Sequence, residues 1–318
     1  MRLQRACLRL VRGAVPPVWD NGPMFDTRRT TIAASALAIL LGVVCPAPGG
    51  KARAESPATL LAAGDVAQCG SPGAALTGAL LQKHPGLILG LGDFAYPNGT
   101  AEEFRLCHEP AWGALKQRIH PTPGNHDYRT AGAAGYFGYF GARAGDADRG
   151  YYSFDVGAWH IVSLNSNREL EPGSVQSQWL DEDLRKHRQR CVLAFWHHPR
   201  FSSARRGNDP RTQALWAILY RHGASIVLAA HDHDYERFSP MNDQGGGDDV
   251  RGIRSFVVGT GGAKLYEAGK RHPLSQVWDG STWGALKLTL RENAYDWEFL
   301  PAGDGQFKDA GSASCNRR

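Results

Sequence analysis

Apolar positions along the chain fall into two kinds of run. Residues 59–67, 86–92, 191–196 and 225–229 are short and almost uninterrupted, the pattern of strands covered on both faces. Residues 73–83, 175–187 and 212–222 repeat their apolar positions at helical spacing, which predicts amphipathic helices between those strands. The mature chain thus opens β-α-β. Helical spacing continues over 102–106 and 111–119, until Pro121, Pro123 and Gly124 break it and start a loop. Residues 131–150 are rich in glycine and aromatic side chains and predict a long loop of the kind that borders functional sites. Its run Tyr136-Phe137-Gly138-Tyr139-Phe140 suits a substrate mouth or a packed core equally. Residues 151–155 and 159–165 predict paired strands about Gly157, and 254–259, 285–290 and 295–300 predict closing strands with no helix between. A single α/β domain with mixed sheets, residues 55–318, accounts for this order.

The N-terminus follows a different rule. Arg28 and Arg29 precede an apolar run over 32–44, then Pro46, Pro48, Gly49, Gly50 and Ala52-Arg53-Ala54. Basic, apolar and small residues in that order predict a signal peptide over 1–54, cleaved after Ala54, with Met24 an alternative start. The run is too short for a stable membrane span. Secretion or release to a periplasm is therefore expected. The arginine pair is compatible with a twin-arginine route, and Cys45 leaves lipid attachment as a minor alternative.

Net charge is +5, which would suit a nucleic-acid ligand, but the first 54 residues hold eight Lys or Arg against two Asp. The remainder sits near −1 and offers no basic patch for nucleic acid or anionic lipid. Cys69, Cys107, Cys191 and Cys315 survive cleavage. An even count in an exported chain predicts two disulfides. Spacing leaves three pairings open, one of which joins Cys69 to Cys107 beside the candidate site.

Five segments carry metal-ligand side chains at or after predicted strand ends: Gly64-Asp65-Val66-Ala67, Gly92-Asp93-Phe94-Ala95-Tyr96, Gly124-Asn125-His126-Asp127, His197-His198-Pro199, and His231-Asp232-His233. A carboxylate after a strand can hold a hard cation, and a second can bridge two cations. Glycine before each Asp permits a sharp backbone turn. Asn125 offers a neutral oxygen that does not further neutralise the cations. His231 and His233, two apart on extended chain, point the same way.

In this order the segments resemble the calcineurin-like metallophosphoesterases, specifically their purple acid phosphatase branch. The superfamily carries a metal-binding His two residues after the first Asp. Here that position is Ala67, and Tyr96 stands three after the second Asp, the exchange seen in the branch. The resemblance implies a sandwich of two mixed β-sheets flanked by helices. It implies one ion on Asp65, Tyr96 and His233 and another on Asn125, His197 and His231, bridged by Asp93. A phenolate ligand implies Fe(III) at the Tyr96 site, with Zn, Mn or Fe(II) at the other.

The implied activity is hydrolysis of small phosphate monoesters by a hydroxide held on the metals. His126 would contact the phosphate and protonate the leaving oxygen, oriented by Asp127. His198 is a further substrate-binding candidate. Two positions depart from the branch. Ala230 replaces a glycine before the paired histidines, a cost if that turn needs a glycine conformation. Arg205 and Arg206 stand where the branch places an acid His, and an arginine binds phosphate without donating a proton. A phosphodiesterase or nucleotidase on the same core, or a metal- and phosphate-binding protein without turnover, remain alternatives. The segment His-x-His-x-Asp-His of another zinc hydrolase class is absent from the sequence.

Overall fold

The structure, a computed structural model, describes residues 56–187, 191–205 and 207–316. The predicted leader, Met24, Cys45 and Arg206 lie outside the described residues. In chain order the elements begin with β1 (Ala58–Ala63), β2 (Ala67–Gln68), α1 (Gly73–Lys83), β3 (Leu87–Gly90) and β4 (Ala95–Tyr96). A continuous helical stretch follows: α2 (Ala101–Glu103), a π-turn (Phe104–His108), α3 (Glu109–Trp112) and a 3-10 turn (Gly113–Arg118). Then come β5 (Ile119–Pro121), α4 (Ala134–Phe140), β6 (Tyr152–Val156), β7 (Trp159–Ser163), α5 (Val175–Lys186), β8 (Cys191–Phe195), α6 (Gln213–Arg221) and β9 (Ile226–Ala229). The chain closes with β10 (Tyr235–Phe238), β11 (Arg254–Val258), β12 (Ser275–Asp279), β13 (Gly284–Leu290), β14 (Ala294–Pro301) and β15 (Ala310–Ser314).

Two mixed sheets form, as expected. One runs β15-β14-β13-β1-β3-β5 and the other β12-β10-β11-β9-β8-β7-β6, while β2 and β4 pair separately. In the first, β1, β3 and β5 are parallel; in the second, β7, β8, β9 and β11 are. The parallel centres explain the unbroken apolar runs. On β8, Cys191, Leu193 and Phe195 belong to the main core that also takes in Leu60, Ile88 and Leu286 of the first sheet. The alternate residues Val192 and Ala194 meet Leu180 and Leu184 of α5 and Leu215, Trp216 and Leu219 of α6 in a second core. Strand periodicity of two thus sends successive side chains to opposite, equally buried sides.

Helix boundaries have local causes. Ser174 caps α5 through the Ser177 N–H, and Thr100 with Glu103 forms a reciprocal capping box on α2, each satisfying donors that the first turn leaves open. The cysteines pair as Cys69–Cys107 and Cys191–Cys315.

Two expectations need correction. The stretch 131–150 contains α4 where a loop was expected. Its glycines hide the helical pattern, although Gly135 is dictated by packing, since a Cβ there would sit 2.1 Å from the Gly99 carbonyl oxygen. Tyr136 and Phe140, one turn apart, bury against Phe94, so the aromatic run belongs mainly to the core. The helix expected over 111–119 ends earlier, and Ile119 starts β5, paired with Ile88. Pairing along a sheet edge overrides local periodicity there. β10, β12 and β15 carried no recognisable apolar run; they form because their backbones complete ladders begun by neighbouring strands.

Candidate metal centre

The five segments that bear candidate ligands gather at the carboxyl ends of the parallel strands, where open α/β sheets form clefts. Asp65 follows β1, Asp93 follows β3, Asn125 follows β5, His197 follows β8, His231 and His233 follow β9, and Tyr96 ends β4. Backbone strain is concentrated on the ligands: Asp65, Asp93 and His231 have φ of 58°, 54° and 70°. Left-handed backbone at non-glycine residues costs on the order of 1 kcal/mol each and clusters at functional sites. The glycines before Asp65, Asp93 and Asn125 serve closeness as much as turning. A Cβ on Gly124 would lie 2.1 Å from Asp93 Oδ1. Ala230 costs nothing by its conformation, because the left-handed residue is His231.

The donor atoms fall into two sets. Tyr96 Oη lies 2.7 Å from Asp65 Oδ1 and 3.1 Å from His233 Nε2, and His233 Nε2 lies 3.3 Å from Asp65 Oδ1. On the other side His197 Nε2 lies 3.2 Å from Asn125 Oδ1 and 3.3 Å from His231 Nδ1. One atom belongs to both, Asp93 Oδ2, at 3.1 Å from Tyr96 Oη and 3.3 Å from His197 Nε2. Ligands bound to one ion at about 2.0–2.2 Å stand about 3 Å from each other, so this spacing fits cations.

The imidazoles are prepared for that role. His197 Nδ1 donates to the Leu91 carbonyl at 2.8 Å and His233 Nδ1 to the Lys264 carbonyl at 2.7 Å, leaving each Nε2 lone pair toward the site. Asp65 Oδ2 accepts the His231 N–H at 2.7 Å, and Asp93 Oδ1 accepts the His126 N–H at 2.7 Å. Each carboxylate is thus fixed by one oxygen and offers the other.

Electrostatics show a site that needs positive charge. Burial would raise the Asp65 and Asp93 carboxyls, but His233 beside the first and His197 beside the second hold both below the usual range. Burial would lower the His197 imidazolium, yet Asp93 lifts it to about 9, and Asp65 likewise lifts His233 against burial. Burial, with Asp65 and Asp93 nearby, raises the Tyr96 phenol well above its ordinary value, so only a strong Lewis acid would ionise it.

The surrounding residues divide differently from expectation. Asp127 does not orient the His126 ring. Its buried carboxylate accepts the N–H groups of Asp93 at 2.9 Å, Phe94 at 3.2 Å and Gly124 at 2.8 Å, tying two ligand loops together. Burial and Asp93 raise Asp127 to about 8. His126 is held by the Pro97 carbonyl, 2.6 Å from Nδ1, which turns Nε2 inward to 4.0 Å from Asp93 Oδ2. His198 is buried beside His231, its Nδ1 2.8 Å from Ser166 Oγ. Arg205 is exposed and lines a neighbouring groove with Lys264 and Tyr266.

A cleft of about 480 Å³ opens over the Tyr96 side, lined by Gln68, Cys69, Tyr96, Pro97, His126, His233, Lys264 and Tyr266. Lys264 and Tyr266 come from a segment without any motif, and only the fold brings them here. A third set of ligand-type side chains, His160, Asp183 and His187, lies outside the cleft. There both ring nitrogens of His160 bond carboxylates of Asp155 and Asp183.

Comparison with known proteins identifies the family. The family model described as calcineurin-like phosphoesterase matches residues 37–235. The chain is 29% identical over 174 residues to probable purple acid phosphatase 20 of Arabidopsis thaliana, covering 46% of this chain and 39% of that protein. It is 33% identical over 156 residues to purple acid phosphatase 21 of Arabidopsis thaliana, covering 46% and 35%. It thus spans well under half the length of these relatives. Among solved structures, purple acid phosphatase PPD1 from yellow lupin (Lupinus luteus) seeds superposes with a TM-score of 0.71 at 19% identity, covering 82% of this chain and 54% of that one. The chain belongs to the calcineurin-like phosphoesterase family, in its purple acid phosphatase-like branch.

Proposed function

We propose that this protein is an exported phosphatase that hydrolyses small phosphate monoesters at a pair of metal ions. The position of Asp93 Oδ2 between the two donor sets carries this reading, because a shared carboxylate oxygen is what two adjacent cations require. Asp65, Tyr96 and His233 would hold one ion, Asn125, His197 and His231 the other, with Asp93 between. Such ions supply Lewis acidity toward a phosphoryl group and lower the pKa of water. Fe(III) suits the phenol side and Zn, Mn or Fe(II) the imidazole side.

The side chains then have distinct tasks. Asp65 and Asp93 supply fixed negative charge, and neutral Asn125 adds an oxygen without adding to it. His126, with Nδ1–H on the Pro97 carbonyl, donates from Nε2 only when the ring carries both protons, and in that form it can protonate a leaving oxygen. Arg205, reaching in from the neighbouring groove, would meet the far end of a substrate; His198 would support His231 from behind. Two disulfides support an oxidising compartment, in keeping with export.

The decisive experiment loads purified protein with Fe and Zn or Mn. Hydrolysis of a nitrophenyl monoester faster than of the bis ester supports the proposal. Preference for the bis ester would favour a diesterase on the same core. No hydrolysis from acid to alkaline pH, with both ions bound, would overturn the enzyme reading.

A further inference from the structure

The cleft is larger than a phosphate needs. Its roughly 480 Å³ adjoins a second groove of about 590 Å³, and Lys264 and Tyr266 line both. Tyr266 is the one aromatic among the large apolar side chains that the described residues expose, at 42%. It is nevertheless held firmly. Its ring lies parallel to that of His233, centroids 4.1 Å apart and planes 12° from each other, and its backbone N–H donates to the His233 carbonyl at 2.9 Å. The same His233 is fixed from the other end by the Lys264 carbonyl. A flat ring is therefore anchored directly on a candidate ligand, at the mouth of the site, with Pro97 and Tyr96 along the same cleft.

Given the phosphatase reading above, on which this inference rests, we propose that Tyr266 forms a leaving-group subsite selecting phosphate esters whose alcohol carries a planar aromatic ring. The phosphate would meet the cation that Asp65, Asp93 and His233 would help hold, and the ring of the leaving alcohol would lie over Tyr266. In the reaction the ester P–O bond breaks, water supplies the new oxygen on phosphorus, and the departing alkoxide takes up a proton. Tyr266 takes no part in these exchanges. It acts through stacking, which ring pairs favour beyond simple burial.

The test compares benzyl phosphate with cyclohexylmethyl phosphate, two esters of primary alcohols that differ in whether the ring is flat. The kcat/KM ratio is measured for the metal-loaded protein, Tyr266→Phe and Tyr266→Leu, with metal content determined on each. The expected result is a ratio of about threefold to tenfold in favour of the benzyl ester, kept in Tyr266→Phe and falling toward one in Tyr266→Leu. Loss of metal through the His233 contact would lower both rates without moving the ratio. A wild-type ratio near one, or a ratio unchanged in Tyr266→Leu, overturns the subsite and leaves the phosphatase reading intact. Should the leucine variant fail to fold, Tyr266→Met takes its place in the comparison. Hydrolysis of neither ester by protein that still hydrolyses the nitrophenyl monoester overturns the subsite alone; only failure on the nitrophenyl ester as well reaches the phosphatase reading.

Discussion

The phenol oxygen of Tyr96 lies 2.7 Å from Asp65 Oδ1 across 31 residues of sequence. A buried carboxylate keeps that phenol protonated unless a cation stands between them, so the pair reports directly on the ion. With iron bound, the protein should show a visible charge-transfer band, and Tyr96→Phe should abolish it while leaving the far-ultraviolet dichroism unchanged. A colourless, active protein holding two divalent ions would defeat the iron assignment alone.

Asp93 should matter to both ions at once. Asp93→Asn removes the shared oxygen's charge, and metal analysis after dialysis should find fewer than two ions per chain. Replacing groups that merely support a ligand costs about 10–100-fold; loss of the shared ligand should lower kcat/KM by at least about 100-fold. Retention of two tightly held ions would contradict a bridging position.

Asp127 is expected to behave as a brace. Asp127→Ala strands the N–H groups of Asp93, Phe94 and Gly124, and buried unpaired donors cost about 1–3 kcal/mol each before relaxation. Urea unfolding of the metal-free protein should show a loss of about 2–5 kcal/mol. A role confined to orienting His126 predicts unchanged stability with an altered rate, and the unfolding curve separates the two.

His108 predicts a pH dependence of stability. Both its ring nitrogens are buried without a partner among Phe94, Phe104, Trp112 and Phe140, and burial, aided by Lys116, lowers it to about 3. The unfolded chain takes up a proton near the ordinary value of 6.5 that the folded chain refuses until about 3. Stability is therefore full above about pH 6.5 and falls on acidification through that window, by about 2 kcal/mol at pH 5. His108→Leu should remove this component, so that its gain over the parent is larger at pH 5 than at pH 8. Equal gains at both would show that the ring is not held neutral.

Much of this protein was legible before folding was considered. Buried runs such as 191–196 and amphipathic segments such as 175–187 carry their own periodicity, so the strands and helices that form the two cores followed directly. The ligand segments were equally legible, because each is a short stretch of donor side chains placed just beyond a strand, and the pair Ala67 and Tyr96 points to one branch of the family. Tertiary structure decided the rest. α4 and β15 lack a local signal, since a glycine forced by a close backbone or a strand completed by its neighbour is specified by contacts remote in sequence. The Leu91 and Lys264 carbonyls that set the histidine tautomers, the carboxylate of Asp127 turned to backbone, and Tyr266 laid on His233 share that origin. A hydrogen bond or ring stack depends on where a group is carried by the fold, whereas periodicity and ligand type are properties of the residues themselves.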